Sequence, residues 1–164
     1  MQYFMKSIAT PVGKLILVTT EKSVVALVWN KSELDNLGIP TLKEGPSCPL
    51  LKKAEKQLGE YLRGRRRTFE LPLETLGTEF EKRVWTGLRK IPFGKTWSYQ
   101  ELAKRAGSPG AVRAVGSANG KNPICIIIPC HRVIRLTGEL GGYTGGVDKK
   151  AFLLALESKG KAVD

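Results

Sequence analysis

Residue types that build disulfide frameworks and metal sites are scarce in this sequence of 164 residues. It contains three cysteines and a single histidine, and no two cysteines have the Cys-x-x-Cys spacing. So few ligands do not form a disulfide framework, and a zinc site would need most of them in one place. We therefore predict that the chain binds no metal.

Long apolar runs are also missing. The longest apolar stretches, residues 24–29 and 124–128, are far too short to cross a bilayer. The first residues do not combine a basic segment with an apolar run, which is the pattern of a secretory signal peptide. We therefore expect a cytoplasmic protein with no membrane partner.

Acidic residues are few relative to basic ones. The chain has 27 Lys and Arg against 15 Asp and Glu, a formal net charge of +12. A field of this sign attracts polyanions, and nucleic acid is the leading candidate. Solubility and adaptation to high temperature are the alternatives, although the latter usually raises Glu together with Lys. Charge alone does not separate DNA from RNA or from an anionic membrane.

The first half of the chain, residues 1–74, is predicted to be a small α/β scaffold domain. Short β-branched runs separated by turn residues predict an antiparallel meander. These runs span residues 3–8, 15–19 and 24–29. Scattered Gly, Pro and Ser predict a loop over residues 30–48, and apolar residues at helical spacing predict an amphipathic helix over 49–63. Residues 69–73, interrupted by a proline, are predicted to be an edge strand or a linker.

A dense basic run, Arg63-Gly64-Arg65-Arg66-Arg67, follows this helix. Its cations could contact phosphate groups of a nucleic acid. A solvated loop near a helix C-terminus, where cations are favoured, explains the run equally well.

The second half, residues 75–164, is predicted to be rich in helices. Thr78 with Glu81, and Ser98 with Glu101, have the spacing of capping boxes, and each predicts the start of a helix. A further helix is predicted over residues 109–119, with Ser108 as its N-cap and Pro109 in its first position. The last two helices, joined by a short turn containing Gly107, form a predicted helix-turn-helix.

The second helix of this motif consists almost entirely of small residues, and Arg113 is its only long side chain. Helices that read a base sequence usually present several Arg, Asn or Gln side chains. We therefore predict docking on DNA largely without sequence specificity, with Arg113 probing the duplex. The alternative is that the small residues only permit close helix packing. The predicted DNA-binding residues are Arg113, Ala111, Ala114, Gly116, Ser117 and Arg132.

A possible nucleophile follows three consecutive isoleucines. Ile126 to Ile128 predict a short buried strand that ends at Pro129. Cys130, the single histidine His131 and Arg132 come next. A base and a cation beside a thiol favour the thiolate, which is the nucleophilic form. Because adjacent side chains rarely hydrogen-bond, we expect a water between Cys130 and His131; a buried structural cysteine beside a surface histidine is the alternative.

Two later features can complete a site around this cysteine. Residues 138–146 contain five glycines and one aromatic residue, Tyr143, which is placed to cover a planar base. Glu157 lies near the apolar face of the last predicted helix, where a carboxylate needs a partner. That partner is either His131 or Lys161, four residues further on.

The string Ile-Pro-Cys-His-Arg-Val-Ile at residues 128–134, preceded by Asn122-Pro123, closely resembles the active-site motif of the O6-alkylguanine-DNA alkyltransferases. The resemblance runs from about Gly77 to Glu157, and the N-terminal part is similar to the family only loosely. It implies an α+β fold in which a ribonuclease-H-like α/β unit precedes a helical, winged-helix-like domain with the helix-turn-helix. It also implies a methylated-DNA–protein-cysteine S-methyltransferase that repairs double-stranded DNA bearing alkylated bases.

Site residues are carried over from the resemblance position by position. The implied catalytic residues are Cys130, His131, Glu157, Tyr99 and Asn122. The implied substrate-binding residues are Arg113, Val133, Tyr143, Thr144, Gly145 and Lys150. In this scheme Cys130, water, His131 and Glu157 form a proton relay, Tyr99 protonates the leaving base, and Asn122 braces the turn that holds the cysteine.

The implied reaction consumes the protein, because a thioether is stable and no group is present to reverse it. We expect one turnover, no cofactor and a monomer. Cys125 stands where many relatives have Pro, and the zinc-binding residues of some relatives have no counterpart. A non-catalytic lesion-binding relative and a cysteine hydrolase are the rivals; the first usually lacks the cysteine, and the second leaves the helix-turn-helix unexplained.

Overall fold

A computed structural model of the chain describes residues 2–40 and 45–162, and the side chains of residues 2–40 and 45–159. The chain divides into two compact units, Met1–Leu76 and Gly77–Asp164. The first combines an antiparallel sheet with helices and the second is mainly helical. The predicted α+β class is therefore confirmed. No helix in the described part of the chain is both long and apolar enough to span a membrane.

The sheet of the first unit is the predicted meander. Its strands are β1 (Phe4–Thr10), β2 (Gly13–Thr19) and β3 (Val24–Val28), in the order β1-β2-β3. Both pairings are antiparallel. Every residue of β3 is buried, as expected for a run of five apolar side chains at the centre of a small core.

Residues 30–48 are not entirely a loop, so that prediction is wrong in part. A short helix, α1 (Lys31–Asn36), lies within them. The Glu33 carboxylate accepts hydrogen bonds from the backbone N–H groups of Trp29 (3.0 Å) and Asn30 (3.1 Å). Asn30 and Glu33 have capping-box spacing, which the Gly, Pro and Ser content of the segment obscured. Residues 41–44 of the predicted loop lie outside the described residues.

The second helix, α2 (Pro49–Leu62), matches its prediction and buries the faces of Leu51, Ala54 and Leu58. After it, Leu73 makes one parallel bridge to Val24. The Val24 N–H donates to the Pro72 carbonyl at 2.8 Å, and the Glu74 N–H donates to the Val24 carbonyl at 3.0 Å. The segment ending at Leu73 thus attaches to the sheet at a single point.

Two helices of the second unit begin at the predicted N-caps. At α3 (Glu79–Leu88), the Glu81 N–H donates to Thr78 Oγ1 at 3.1 Å and the Thr78 N–H donates to the Glu81 carboxylate at 2.9 Å. At α4 (Tyr99–Arg105), the Glu101 N–H donates to Ser98 Oγ at 3.0 Å. The Glu101 carboxylate pairs with Arg105 at 2.9 Å.

The next helix, α5 (Val112–Gly120), begins three residues later than predicted. Ser108 does not cap it, since its carbonyl accepts a hydrogen bond from the Ala111 N–H at 2.9 Å and closes a turn. Pro109 and Gly110 occupy the centre of this turn. A proline suits the second position of a turn as well as the first position of a helix, and the following glycine favours the turn.

The predicted strand at residues 126–128 is a compact turn. The Ile127 N–H donates to the Cys125 carbonyl at 2.7 Å, and the Ile128 N–H donates to the Ile124 carbonyl at 3.0 Å. The three isoleucines are buried, as predicted, but they contribute no strand. A 3₁₀ turn at Cys130–Arg132 then leads into β5 (Val133–Ile134), which pairs in parallel with β4 (Trp97–Ser98). The last helix is α6 (Val147–Ala162).

Candidate active site

Cys130 is held at the start of the 3₁₀ turn by the backbone on either side. Its N–H donates to the Ile128 carbonyl at 2.8 Å, which closes a tight turn around Pro129 with φ −82° and ψ 65°. These angles are those of an inverse γ-turn, for which the proline ring sets φ in advance. The Cys130 side chain is buried but reaches a cavity.

The segment before Cys130 contains a backbone conformation that β-branched residues rarely adopt. Ile126 has φ +69° and lies at the centre of the turn from Cys125 to Ile127. A residue in this region costs of order 1–3 kcal/mol and persists only when its surroundings over-determine it. Asn122 supplies that constraint, because its Nδ2 donates to the Ile128 carbonyl at 2.7 Å while its Oδ1 accepts from the Ile124 N–H at 3.0 Å.

His131 and Glu157 are in direct contact inside the second unit. His131 Nε2 lies 2.7 Å from Glu157 Oε2, and both side chains are almost inaccessible to solvent. Burial lowers the pKa of His131, and it outweighs the opposing influence of the Glu157 carboxylate. The imidazole is therefore neutral near neutral pH, with its Nε2–H donating to Glu157. Its Nδ1 then carries a lone pair and has no hydrogen-bond partner among the described residues.

Arg132 does not have the position that a DNA-binding residue needs, so that prediction is corrected. The side chain is buried, and its guanidinium contacts both carboxylate oxygens of Glu157, with Nε at 2.8 Å and one terminal nitrogen at 2.9 Å. The other terminal nitrogen donates to the Ile91 carbonyl at 2.7 Å. A buried cation adjacent to a buried carboxylate is more favourable than either charge alone, which explains why this arginine points inward.

Glu157 is ionised in this arrangement. Burial raises the pKa of its carboxyl group, but the hydrogen bonds and charges of His131 and Arg132 outweigh burial and hold the pKa well below its usual range. Arg132 alone suffices as the source of positive charge, because a guanidinium does not lose its proton. The side chain of Lys161, the other candidate partner of Glu157, lies outside the described residues.

A cavity of about 350 Å³ opens at Cys130, and its volume is in the range of ligand pockets. Cys130, Tyr99, Tyr143, Thr144 and Gly116, all predicted site residues, line it. Among the described residues, Val133, Gly145 and Lys150 are not part of this lining. Three further residues of the lining, Asn119, Gly120 and Gly142, were not among the predicted site residues.

Asn119 is a buried polar residue of the cavity wall. Val115, Ala118 and Asn119 form the buried face of α5, and Asn119 Oδ1 has no hydrogen-bond partner among the described residues. The signal was available in the sequence, since Asn119 follows the apolar Val115 by four residues and therefore shares its face. A buried, unpaired acceptor calls for an explanation, and a ligand in the cavity is one way to satisfy it.

Two side chains hold the glycine-rich loop at the cavity mouth. Lys150 is fully buried, and its ammonium group donates to the carbonyls of Leu140 and Gly142, the latter at 3.1 Å. Thr144 Oγ1 donates to the Gly120 carbonyl at 2.5 Å and so ties the loop to the end of α5. Burial lowers the pKa of Lys150 to about 8, against the charge of Cys130, which raises it.

Tyr99 packs between this loop and α5. A Cβ atom placed on Gly141, which has φ +74°, would lie 2.9 Å from the Tyr99 hydroxyl oxygen, so only glycine fits there. On the other side, a Cβ at Gly116 would approach the Tyr99 ring to 3.6 Å. Burial raises the pKa of Tyr99, with a smaller opposing effect from Arg135. The phenol therefore keeps its proton and can donate it.

The outer face of α5 has the character predicted for it. Arg113, Ala114 and Ser117 are exposed there, Gly116 is half-buried beneath them, and Ala111 is half-buried just before the helix. Most of this face is small side chains, with one long cation near the N-terminal end. Such a surface permits close approach to a nucleic acid backbone.

Comparison with known proteins assigns both units to one family. Residues 4–75 match the family model described as the ribonuclease-like domain of 6-O-methylguanine DNA methyltransferase, and residues 79–159 match that described as its DNA-binding domain. The methylated-DNA–protein-cysteine methyltransferase of Methanosarcina acetivorans is 52% identical over 148 residues, which cover 90% of this chain and 94% of that protein. The constitutive one of Bacillus subtilis is 43% identical over 150 residues, covering 90% and 91%.

The chain belongs to the 6-O-methylguanine DNA methyltransferase family. A crystal structure of Mycobacterium tuberculosis OGT in complex with DNA, a further relative, has a TM-score of 0.84 at 39% identity and covers 98% of this chain and 94% of that one. The family resemblance noted in residues 128–134 is thereby confirmed.

A metal site would require several ligand side chains to lie close together. Within residues 2–40 and 45–159, no group of three or more His, Cys, Asp or Glu side chains is placed to hold a metal ion. The three cysteines are buried and form no disulfide.

Proposed function

We propose that this chain repairs double-stranded DNA by direct reversal, transferring the alkyl group of O6-alkylguanine irreversibly to its own Cys130. One observation carries the proposal: Cys130 lines a ligand-sized cavity next to a neutral histidine that is paired with an ionised glutamate. The family assignment and the DNA complex of a relative support DNA as the partner.

The first step is removal of the thiol proton of Cys130. His131 Nδ1 is the available base, because Nε2 is occupied as the donor to Glu157. A water molecule carries the proton from Sγ to Nδ1, since adjacent side chains rarely contact each other directly. The ionised Glu157 stabilises the imidazolium that forms. The positive charge of Lys150 also favours the thiolate.

In the second step the thiolate attacks the alkyl carbon in line with the bond to O6. The S–C bond forms, the C–O6 bond breaks, and its electron pair goes to the guanine. Tyr99 donates its proton to ring nitrogen N3, and the proton held on His131 restores the phenol through solvent. The products are an S-alkylcysteine and guanine, so protons and electrons balance without a cofactor.

The base must leave the duplex to reach this cavity. Residues 75–164 bind DNA through the exposed small side chains of α5, largely without sequence specificity, and Arg113 fills the space left by the extruded base. Tyr143 covers the base, the Thr144 N–H contacts O6, and the carbonyls of Cys130 and Val133 meet the exocyclic amine. We also propose that residues 1–74 serve as a scaffold and that the protein acts as a monomer.

A non-catalytic lesion-binding role is less well supported, because the thiol, its base and the carboxylate are all in place. Duplex DNA carrying radiolabelled O6-methylguanine tests the proposal. The protein should take up about one methyl group per chain and then stop, as expected for a nucleophile that is not regenerated. Mass spectrometry should find the methyl group on the peptide that contains Cys130.

The other two buried cysteines provide matched controls. Cys130→Ala should bind the duplex and take up no methyl group, whereas Cys48→Ala and Cys125→Ala should both transfer it. Repeated turnover, or uptake that persists in Cys130→Ala, would exclude this mechanism.

A further inference from the structure

The positive charge of the first unit is concentrated in one segment. Residues 52–67 contain seven Lys and Arg and two Glu, whereas the rest of residues 1–76 contains five basic and six acidic residues. The excess positive charge of the unit therefore resides entirely in α2 and the basic run after it.

Three of these cations form a stripe on α2. Lys52, Lys56 and Arg63, called the α2 stripe below, are exposed and lie four and seven residues apart. This spacing places them on one side of the helix, opposite the side that buries Ala54 and Leu58. At 1.5 Å per residue the stripe is about 16 Å long.

Of the two acidic residues of α2, Glu60 is engaged away from this stripe. Glu60 is paired with Arg66 at 3.0 Å, and Arg66 also donates to the Thr68 carbonyl. Arg63 lies back along the helix over Gly59, where its guanidinium nitrogen is 3.1 Å from the position a Cβ would occupy. The missing side chain at Gly59 thus allows Arg63 to extend the line of Lys52 and Lys56.

Helix stability does not account for the stripe. Cations are favoured in the last turn of a helix and disfavoured in the first, because of the helix dipole. Lys52 lies at the end of the first turn of α2, which has no acidic residue, and Lys56 lies in the middle. Only Arg63, just after the helix, is placed to gain from the dipole.

We propose that the α2 stripe binds the phosphodiester backbone of duplex DNA. A line of cations is complementary to the regular negative charge of the phosphates along a DNA strand. Contacts to phosphates position a protein on DNA but do not read its sequence. The match described as a DNA-binding domain covers only residues 79–159, so this surface is additional to it. Residues 1–74 would then contribute to DNA affinity as well as acting as a scaffold.

The salt dependence of binding tests the stripe. The variant Lys52→Gln/Lys56→Gln/Arg63→Gln is compared with Lys14→Gln/Lys22→Gln/Lys31→Gln, which removes the same charge from other exposed positions of the first unit. Affinity for a labelled, unmodified duplex is measured by fluorescence anisotropy over a series of KCl concentrations, using the full chain. The slope of log K against log salt should become shallower by about two to three in the stripe variant and by less than about one in the control.

Two further measurements separate this proposal from the proposed function. Transfer from the free base O6-benzylguanine, which needs no DNA contact, should be equal in wild type and both triple variants. Lys56→Gln alone should reduce the slope by about one, so the test stands even if the triple variant unfolds. An unchanged slope in the stripe variants, or an equal reduction in the control, would overturn the proposal. Wild-type protein that does not bind DNA at all would instead contradict the repair function.

Discussion

Arg132 donates two hydrogen bonds to the Glu157 carboxylate, with nitrogen–oxygen distances of 2.8 and 2.9 Å, and both side chains are buried. The third contact of the guanidinium, to the Ile91 carbonyl, anchors the pair to the segment that follows α3. Because Arg132 keeps Glu157 ionised, His131 can remain neutral and still have a carboxylate acceptor for its Nε2–H. In the proposed mechanism Arg132 therefore acts on Cys130 indirectly, through Glu157 and then His131.

Replacing Arg132 with Met should strongly destabilise the protein. The change leaves the Glu157 carboxylate buried without its permanent counter-charge, and breaking a buried pair in this way costs about 3–5 kcal/mol. Urea unfolding of the full chain gives the free energy of unfolding. The exposed Arg135 provides the control, since Arg135→Gln removes the same charge and should change stability by less than about 0.5 kcal/mol. Equal stability of the two variants would show that the buried pair contributes nothing.

Gly141→Ala should strongly reduce the rate of alkyl transfer and have a smaller effect on the free energy of unfolding. The new Cβ would lie 2.9 Å from the Tyr99 hydroxyl oxygen, so the proposed proton donor must move. A displacement of about 1 Å at a reacting group can reduce the rate by roughly a hundredfold. Single-turnover transfer from methylated duplex DNA measures the rate.

Variants of two neighbouring glycines distinguish a clash with Tyr99 from backbone strain as the cause of this effect. Gly138 has φ +93° with open space around it, so Gly138→Ala adds backbone strain of about 1–2 kcal/mol without a clash. Gly142 has neither a positive φ nor a contact, so Gly142→Ala should be close to wild type in stability. If Gly138→Ala slows transfer as much as Gly141→Ala, displacement of Tyr99 is not the cause.

The elements of this fold that local rules specify could be predicted from the sequence. Thr78 and Glu81 cap α3 as their spacing indicates, and the apolar spacing of α2 predicted its buried face. The contact between His131 and Glu157 joins residues 26 positions apart. Spacing alone favoured an exposed Glu157 paired with Lys161, and only the family resemblance reversed that preference in favour of the histidine.

The remaining features depend on tertiary contacts that no local pattern reports. Three isoleucines in a row favour a strand, but Asn122 holds the segment in a turn with Ile126 at positive φ. A long cation beside a nucleophile suggests a surface position, yet Arg132 is buried because Glu157 approaches it from α6. In both cases a distant polar group overrides the preference of the residue itself.

The buried Lys150 should make stability increase with pH in the alkaline range. Burial lowers its pKa from 10.5 to about 8, so between these values the folded protein has released a proton that the unfolded chain still binds. Stability rises with pH wherever the unfolded state binds more protons, by up to about 3 kcal/mol for this group. The free energy of unfolding of wild type relative to Lys150→Met should therefore increase from about pH 7 to about pH 10.

Lys159 on the same helix is the matched control, since it is exposed. The stability difference between wild type and Lys159→Met should stay constant over the same pH range. A constant difference for Lys150→Met as well would mean that Lys150 is not the titrating group.

Two buried asparagines near the end of α5 should respond in opposite directions to the same substitution. Asn122 makes two buried hydrogen bonds, so Asn122→Leu should destabilise the protein by about 1–3 kcal/mol, by leaving the Ile124 N–H unpaired and by removing one of the two donors to the Ile128 carbonyl. Asn119 Oδ1 is buried without a partner among the described residues. Asn119→Leu, of similar size, should therefore be neutral or stabilising by about 1 kcal/mol.

Asn119→Leu should nevertheless slow methyl transfer. A buried acceptor without a protein partner lowers stability, and its place in the cavity wall is explained if a bound ligand donates a hydrogen bond to it. We expect Asn119→Leu to transfer methyl groups roughly tenfold more slowly, the effect of losing one hydrogen bond to a bound ligand. Urea unfolding and single-turnover transfer on the same preparations give both quantities. An Asn119→Leu protein that is as unstable as Asn122→Leu, or one that transfers at the wild-type rate, would assign Asn119 to packing alone.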